Sequence, residues 1–284
     1  MPDCPGCASP YTGPAWRYKD FEIYECHACD LQFANPMEAG SQSFYEMRYE
    51  DYMADAVSGN THPGYRFLKE KIDATIQKWI PNGKRNVIDV GCGAGILLID
   101  LQKRGLECFG IDFNPHLVRI AREQFGLNVE MQRIEEVAGM EVRYDLALLS
   151  HVLEHVADPL GLLCQIATLL KPGGLLIIDV PNRLYCRQRT RFYRGELGWG
   201  EYPPHHLSFW SEKPMRIVLK SAGYRVLECK SRPYPEAHVA RHSLVHRRGW
   251  PNNPVADLGA RILQAVGSVL GLQGTTICAV ARKG

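Results

Sequence analysis

The sequence predicts an α/β protein in which a doubly wound sheet follows a small cysteine-containing hairpin. Three observations support this prediction. Two closely spaced cysteine pairs stand near the N-terminus, and a short apolar strand farther along runs into a glycine-rich turn and a helix. From there, strand and helix patterns alternate towards the end of the chain. Alternating β and α segments fold as a central sheet covered by helices, and 284 residues suffice for one such domain with additions.

Composition narrows the classes of function. The hydrophobic share of 45% is ordinary for a globular protein, and the formal net charge of +2 lacks the basic bias of a general nucleic-acid binder. The most apolar stretch, 160–180, is interrupted by a Lys-Pro-Gly-Gly turn, and the polar first residues lack a signal peptide's apolar core. We expect a cytoplasmic protein with no membrane span and no nucleic-acid partner. The sequence does not predict its oligomeric state.

The cysteine pairs within residues 1–36 have the spacing C-x2-C-x18-C-x2-C. Two residues between cysteines let one tight turn direct both sulfurs at a single ion, and two such turns complete a tetrahedral thiolate shell. The intervening segments 16–18 and 21–24 alternate like short strands around a turn. The sequence thus predicts a zinc ribbon whose structural ion is held by Cys4, Cys7, Cys26 and Cys29. Two disulfides, which a reducing cytoplasm disfavours, or a redox pair are the alternatives.

Residues 37–63 form a predicted helical linker. Within them, segment 44–52 carries aromatic residues at helical spacing. We interpret it as a helix that packs on the main domain, and the alternative is a lid over a cofactor cleft.

The main domain begins with a predicted helix over 64–80, followed by a strand over 86–90 that ends beside Asp89. Glycines at every second position of the next turn let backbone approach a ligand, and the helix that starts at residue 96 directs its positive end at that turn. A dinucleotide-binding fingerprint would place glycine at position 96. This chain has Ile96 there, which argues against a nicotinamide cofactor.

The second predicted strand, over 107–111, ends in Asp112. A carboxylate at that place can accept hydrogen bonds from both hydroxyls of a bound ribose. The alternative role of Asp112 is to cap the helix that begins at Pro115. The adjacent Phe113 is suited to pack on an adenine ring.

The remaining elements continue the alternation. Helices are predicted over 116–125, 158–170, 211–222 and 254–270, and strands over 128–131, 144–149, 175–180, 224–230 and 275–282.

Together these motifs resemble one family. The acidic–glycine pattern Asp89-x-Gly91-x-Gly93-x-Gly95, with SHVLEHVADP, LKPGG and DVPN after it, resembles the small-molecule branch of class I S-adenosylmethionine-dependent methyltransferases. The resemblance covers roughly residues 64–231. It implies a Rossmann-like sheet, mostly parallel with the last strand antiparallel, in a domain over 64–284. Acceptor-side insertions are expected around 183–210 and 233–272.

The resemblance also implies where the cofactor S-adenosylmethionine binds. The expected residues lie in the glycine loop and at the ends of the second, third and fourth strands: Asp89, Gly91, Cys92, Gly93, Gly95, Asp112, Phe113, Arg133, Ile134, Ser150 and His151.

Methyl transfer from a sulfonium is an in-line displacement, so the protein mainly positions the two reactants, and a base removes the proton of an oxygen or carbon acceptor. The candidates are His151 and His155 after the fourth strand and His206 in a loop that resembles one placed over the acceptor in family relatives. A purely structural role is the alternative for Glu154 and His155.

Two metal hypotheses concern the same turn. His151 to His155 match the metalloprotease pattern H-x-x-E-H, but the segment follows a strand and precedes another helix start, so it is a short turn. Relatives that methylate ubiquinone precursors hold a metal in this turn with carboxylates and a histidine. His151 stands where they have a glutamate, which argues against a metal.

Five arginines crowd the stretch after the fifth strand: Arg183, Arg187, Arg189, Arg191 and Arg194. They form either a solvated surface or a site for an anionic acceptor, because guanidinium pairs well with phosphate.

The leading prediction is an O- or C-methyltransferase acting on a small molecule such as a sugar, a phosphorylated metabolite or a secondary metabolite. The first alternative is an rRNA methyltransferase, although the fourth strand lacks the Asn/Asp-Pro-Pro-Tyr/Phe ending used for base amines. The second is a non-catalytic zinc-ribbon interaction protein, against which the intact glycine loop argues.

Overall fold

The computed structural model of the chain describes residues 1–40, 63–80, 85–133, 144–185, 202–233, 254–270 and 273–284. Its strands are β1 (Thr12–Tyr18), β2 (Phe21–Cys26), β3 (Gln32–Asn35), β4 (Asn86–Val90), β5 (Glu107–Asp112), β6 (Val129–Met131), β7 (Tyr144–Ser150), β8 (Leu170–Pro181), β9 (Ser208–Phe209), β10 (Tyr224–Pro233) and β11 (Gln273–Lys283). Its helices are α1 (Pro63–Trp79), α2 (Ile96–Lys103), α3 (Pro115–Glu123), α4 (Pro159–Leu169), α5 (Glu212–Ser221) and α6 (Pro254–Val269).

The main sheet has seven strands in the order β10-β11-β8-β7-β4-β5-β6. Strands β8, β7, β4, β5 and β6 pair in parallel, whereas β11 is antiparallel to both of its neighbours, β8 and β10. The prediction of a doubly wound α/β sheet with an antiparallel last strand is therefore confirmed. The carboxyl ends of β4, β5 and β7 lie side by side, which brings the loops after these strands to one edge of the sheet.

A second sheet of four antiparallel strands, in the order β1-β2-β3-β9, lies at the N-terminus. The predicted hairpin corresponds to β1 and β2, joined at Lys19, whose backbone is left-handed. Strand β3 and its pairing with β9 were not predicted. Strand β9 belongs to the segment after the fifth predicted strand. The small sheet therefore combines three strands near the N-terminus with one strand from the main domain.

The two sheets share one hydrophobic core. Buried ribbon residues, among them Leu31 and Phe33, belong to the same cluster as Met215 and Val218 of helix α5. The other face of the main sheet is covered by α1, whose Ile72 packs with the sheet interior. Apolar burial is the main stabilising contribution in such a core, so the ribbon and the main domain stabilise each other.

Helix α6 carries large apolar side chains that do not face the core. Ala256 and Ala260 are buried, whereas larger side chains along the helix are exposed: Val255, Leu258, Ile262, Leu263, Val266 and Val269. Among the described residues, no helix is long and apolar enough to cross a membrane.

Most predicted elements agree with the structure to within two residues at each end. Strand β8 differs because it begins at Leu170, five residues before the predicted start at 175, so that the Lys-Pro-Gly-Gly turn lies within it. Register shifts where β7 meets this extension, between Tyr144 and Leu146. The predicted helix or lid at 44–52 and most of the expected insertions, 186–201 and 234–253, lie outside the described residues.

Candidate functional site

The four predicted zinc ligands converge at one point. The sulfurs of Cys4 and Cys29 lie 3.6 Å apart, as do those of Cys7 and Cys26, and all four lie within 4.8 Å of one another. Zn–S bonds of about 2.3 Å in a tetrahedron place sulfurs about 3.8 Å apart. The donor set therefore fits a structural zinc ion.

The two cysteine turns have the same backbone geometry. In each turn the carbonyl oxygen of the first cysteine accepts a hydrogen bond from the backbone N–H of the residue four positions later. Ala8 donates to Cys4, and Asp30 donates to Cys26. Ala8 and Asp30 are both left-handed, with φ of 55° and 64°. Such a conformation is unfavourable for residues with a side chain, so its repetition indicates turns shaped to direct sulfurs inward.

The glycine loop lies between the ends of β4, β5 and β7. Gly91 donates a backbone hydrogen bond to the carbonyl oxygen of Ile111 (2.8 Å). Its φ is 75°, and a Cβ there would lie 2.4 Å from Val152 in the turn after β7. Only glycine therefore lets this turn pack directly on the loop, which places the predicted acceptor side beside the predicted cofactor side.

The carboxylate of Asp112 holds the glycine loop in shape. One oxygen accepts from the backbone N–H of Gly93 (2.8 Å) and the other from that of Asn114 (2.9 Å). The cap of α3 is Asn114, whose side chain accepts from two backbone N–H groups. Asp112 is thus not the helix cap that sequence reasoning offered as its alternative role.

Asp89 lies beneath the loop and is only 2% exposed. Burial, and next the nearby Asp112 carboxyl, raise the pKa of Asp89 to about 7. A buried carboxyl with a raised pKa stays neutral until its environment compensates the charge. A cationic ligand such as a sulfonium or ammonium group would provide that compensation.

The substitution Asp89→Asn tests this environment. Because the folded state binds the Asp89 proton more tightly than the unfolded state, the associated stability is fully present below about pH 4 and is lost as the pH rises from there to about 7. The loss amounts to up to about 4 kcal/mol. We expect the free energy of unfolding of Asp89→Asn, measured with urea, to change less between about pH 5 and about pH 8 than that of the wild type. The exposed Glu130→Gln variant is the control, and equal pH slopes for Asp89→Asn and the wild type would contradict the assignment.

The turn after β7 begins with a strained histidine. His151 has a φ of 54°, and its backbone N–H donates to the carbonyl oxygen of Asp179 (2.8 Å). Its imidazole is 50% exposed, with Nδ1 3.3 Å from the Glu154 carboxylate and Nε2 3.7 Å from that of Asp179. A left-handed backbone is costly for a residue with a side chain unless the surroundings fix it.

Glu154 is the buried centre of a histidine cluster. Its carboxylate is 1% exposed, and its Oε1 lies 3.8 Å from Nε2 of His155 and 4.0 Å from Nε2 of His206. Neither carboxylate oxygen accepts a well-formed hydrogen bond from the residues that the structure describes. The three predicted catalytic histidines are thus gathered around one carboxylate.

Charge explains how this cluster is tolerated. Burial opposes ionisation of Glu154, but the imidazole of His151, 3.3 Å away, and next that of His155 favour the carboxylate and lower its pKa to about 2. For His151, burial lowers the pKa, yet Glu154 and Asp179 outweigh it and raise the pKa above the usual value. For His206, burial and then the neighbouring His155 lower the pKa well below that value.

Three imidazoles also form a group that could hold a metal ion. Ligand nitrogens of His155, His205 and His206 all lie within 4.8 Å of one another. His155 donates a hydrogen bond from Nδ1 to the carbonyl oxygen of His205 (2.5 Å). Its Nε2 is therefore the atom that could bind a metal ion. Such an outer hydrogen bond is the usual way in which a ligating histidine is oriented.

Sequence reasoning missed a buried network on the other side of Asp179. Asp179 accepts hydrogen bonds from the guanidinium of Arg232 and from the hydroxyl of Thr276 (2.9 Å). The Arg232 guanidinium also lies 4.6 Å from the ring centre of Phe67. These residues lie on four different elements, α1, β8, β10 and β11, that are remote in sequence, so only the position of Asp179 near the end of a strand offered a signal.

Some predicted site residues are not brought into this arrangement. Ile134 and four of the five arginines lie outside the described residues. Arg183 pairs with Glu25 of the ribbon (3.2 Å), so its charge is already engaged. Arg133 is exposed just beyond β6.

A methyltransferase domain family model matches residues 62–229 of the chain. A ubiquinone biosynthesis O-methyltransferase of Cereibacter sphaeroides is 35% identical over 121 residues, which are 41% of this chain and 49% of that protein. One of Xanthomonas axonopodis pv. citri is 31% identical over 51% of this chain and 65% of its own length. The chain thus spans about half to two thirds of the length of these curated relatives.

Solved structures show the same fold at low sequence identity. The [4+2]-cyclase SpnF superposes with a TM-score of 0.57 at 16% identity, covering 87% of this chain and 97% of that one. The 1,6-didemethyltoxoflavin-N1-methyltransferase of Burkholderia thailandensis, with bound S-adenosylhomocysteine, gives 0.52 at 15% identity, covering 95% and 98%.

Proposed function

The chain belongs to the class I methyltransferase domain family, and from this we propose that it transfers the methyl group of S-adenosylmethionine to an oxygen atom of a small molecule. The observation that carries the proposal is the packing of the turn after β7 on the glycine loop. Val152 lies against Gly91, so the histidines around Glu154 adjoin the loop where the cofactor would bind. Under this proposal the methyl donor and the proton acceptor would lie at neighbouring strand ends, as a displacement reaction requires.

The donor would bind over the glycine loop. The Asp112 carboxylate, which holds the loop through Gly93, would accept the ribose hydroxyls, and Phe113 would pack on the adenine. Asp89 would carry the charge that balances the cationic methionine part. The bound cofactor supplies an already activated methyl group, so these residues need only orient it.

We propose His151 as the base that takes the proton of the acceptor hydroxyl. Glu154 lies 3.3 Å from Nδ1 of His151 and would orient the ring, so that Nε2 receives the proton. His151 is the half-exposed member of the cluster, whereas His155 and His206 are less exposed. A base must be reached by the acceptor, which favours His151.

A labelled-methyl experiment tests the proposed reaction. The full-length protein is incubated with isotopically labelled S-adenosylmethionine and, in separate reactions, a metabolite extract or ribosomal RNA, and the products are analysed by mass spectrometry. We expect a labelled small-molecule ether or ester. Labelled ribosomal RNA would instead support the rRNA alternative, and cofactor binding without any labelled product would support a non-catalytic role.

With the acceptor identified, the pH dependence of kcat tests the base. Because the pKa of His151 is raised and a base acts when deprotonated, we expect kcat to rise with pH through a midpoint above the usual histidine value of 6.5. His151→Gln should lower kcat by about 100-fold. Glu154→Gln removes the carboxylate that raises the pKa and should move the midpoint to lower pH.

His27→Gln, which changes an exposed ribbon histidine, is the control and should keep both kcat and the midpoint. A His151→Gln variant with wild-type kcat would assign the base to another residue.

Two finer points belong to the same proposal. A reducing cytoplasm would keep the four ribbon cysteines available for zinc. An anionic acceptor would find its cation among the arginines after residue 185 rather than at Arg183, which is paired with Glu25.

A further inference from the structure

The segment that carries His205 and His206 is held by the ribbon on one side. Strand β3 pairs with β9 through Phe33 and Ser208, and the backbone N–H of Ala34 donates to the carbonyl oxygen of Leu207 (2.8 Å). The ribbon sheet therefore continues into the segment that follows the two histidines.

The same segment is held by the turn after β7 on the other side. The backbone N–H of Leu207 donates to the carbonyl oxygen of Glu154 (2.7 Å), and His155 donates to that of His205 (2.5 Å). Leu207 thus bonds with its carbonyl to the ribbon and with its N–H to the turn. A displacement of the ribbon would be passed directly to the histidine cluster.

Aromatic side chains fix the start of this segment. Tyr202 accepts, at its carbonyl oxygen, the backbone N–H groups of His205 (3.0 Å) and His206 (3.1 Å). Its ring stacks on Tyr18 of strand β1, with ring centres 4.1 Å apart and an angle of 9° between the planes. Trp16 lies edge-on to the same ring at 6.0 Å.

We propose that the ribbon positions the histidines of the acceptor side. In this role Tyr18 is a positioning residue that acts through Tyr202 on His205 and His206. Zinc at the four cysteines would hold strands β1 and β2 and so keep Tyr18 in place. The inference rests on the proposed function only in naming this cluster as the acceptor side. The cofactor side, around Asp112, has no described contact with Tyr18.

Three variants of the full-length, zinc-containing protein test the proposal. Tyr18→Ala removes the stacked ring, Tyr18→Phe keeps it, and Tyr11→Ala removes a ribbon tyrosine that is 72% exposed. The readouts are backbone hydrogen exchange over residues 202–210, the imidazole resonance of His206 in 13C-histidine-labelled protein, zinc content, and S-adenosylmethionine affinity by calorimetry.

In Tyr18→Ala we expect exchange over 202–210 to become about tenfold faster, since an aromatic pair contributes roughly the corresponding free energy. The His206 resonance should shift, while zinc content and cofactor affinity stay at wild-type values. Tyr18→Phe should restore exchange and resonance, and Tyr11→Ala should change neither. Zinc removed from the wild type by a thiol reagent and chelator should reproduce the faster exchange.

Unchanged exchange and an unmoved His206 resonance in Tyr18→Ala would overturn the proposal, even if the variant were less stable to heat. Loss of cofactor affinity together with faster exchange throughout the main sheet would also overturn it, because the ribbon would then be a general stabiliser. Absence of any methylated product from the wild type would refute the proposed function alone, since the exchange results do not depend on a reaction.

Discussion

Replacing Cys29 with serine is expected to abolish stoichiometric zinc binding and to lower the free energy of unfolding by at least about 3 kcal/mol, since structural zinc sites contribute folding free energy directly. Cys29 is fully buried and belongs to the cluster that the ribbon shares with the main domain. A serine hydroxyl does not ionise to replace the thiolate. The loss would therefore affect the common core as well as the cysteine turns.

Zinc content by elemental analysis and urea unfolding followed by circular dichroism measure the two effects. The matched control is Cys164→Ser, because Cys164 is exposed on helix α4. That variant should keep one zinc ion and wild-type stability. A Cys29→Ser protein with full zinc content and unchanged unfolding would show that the cysteine set serves another purpose.

The second large effect is expected from Asp112→Ala, which should raise the Kd for S-adenosylmethionine by at least about 100-fold. The substitution removes the carboxylate proposed for the ribose hydroxyls. It also frees the backbone N–H groups of Gly93 and Asn114, which donate to this carboxylate. Loop shape and ligand contact are thus lost together.

Asp112→Asn separates these contributions, because the amide keeps one acceptor oxygen for the loop but lacks the charge. We expect its affinity to lie between those of the wild type and Asp112→Ala. Glu107→Gln, at the opposite end of the same strand β5, is the control and should bind as the wild type does. Calorimetry on folded protein decides the matter, and wild-type affinity in Asp112→Ala would place the ribose elsewhere.

The parts of this protein that sequence could predict are those specified by neighbouring residues. Strand β4, its glycine loop and helix α2 follow one another without interruption, so apolar pattern and glycine spacing locate them. The cysteine spacing did the same for the ribbon. In each case the residues that set the local backbone conformation are neighbours in sequence of those that carry the chemistry, so one short segment predicts both.

The parts that sequence could not predict depend on contacts between remote residues. Strand β9 has only two residues, too few for a recognisable alternation, and it exists as a strand because β3 offers it hydrogen bonds. Arg232 likewise gains its role only when β10 and β8 lie on either side of β11, where it meets Asp179. For α6 the sequence predicts the helix, but not that most of its large apolar side chains are exposed.

The seam between the ribbon and the main domain also bears on how such a protein can be altered by recombination. A ribbon with its own closed core could be cut out and joined to another protein. Here Leu31 and Phe33 share their hydrophobic cluster with Met215 and Val218 of α5. In addition, β3 pairs with β9, a strand that lies outside the ribbon sequence. Transplanting the first 36 residues would carry the four cysteines but leave their apolar contacts behind, so we expect the isolated segment not to fold as it does in this chain.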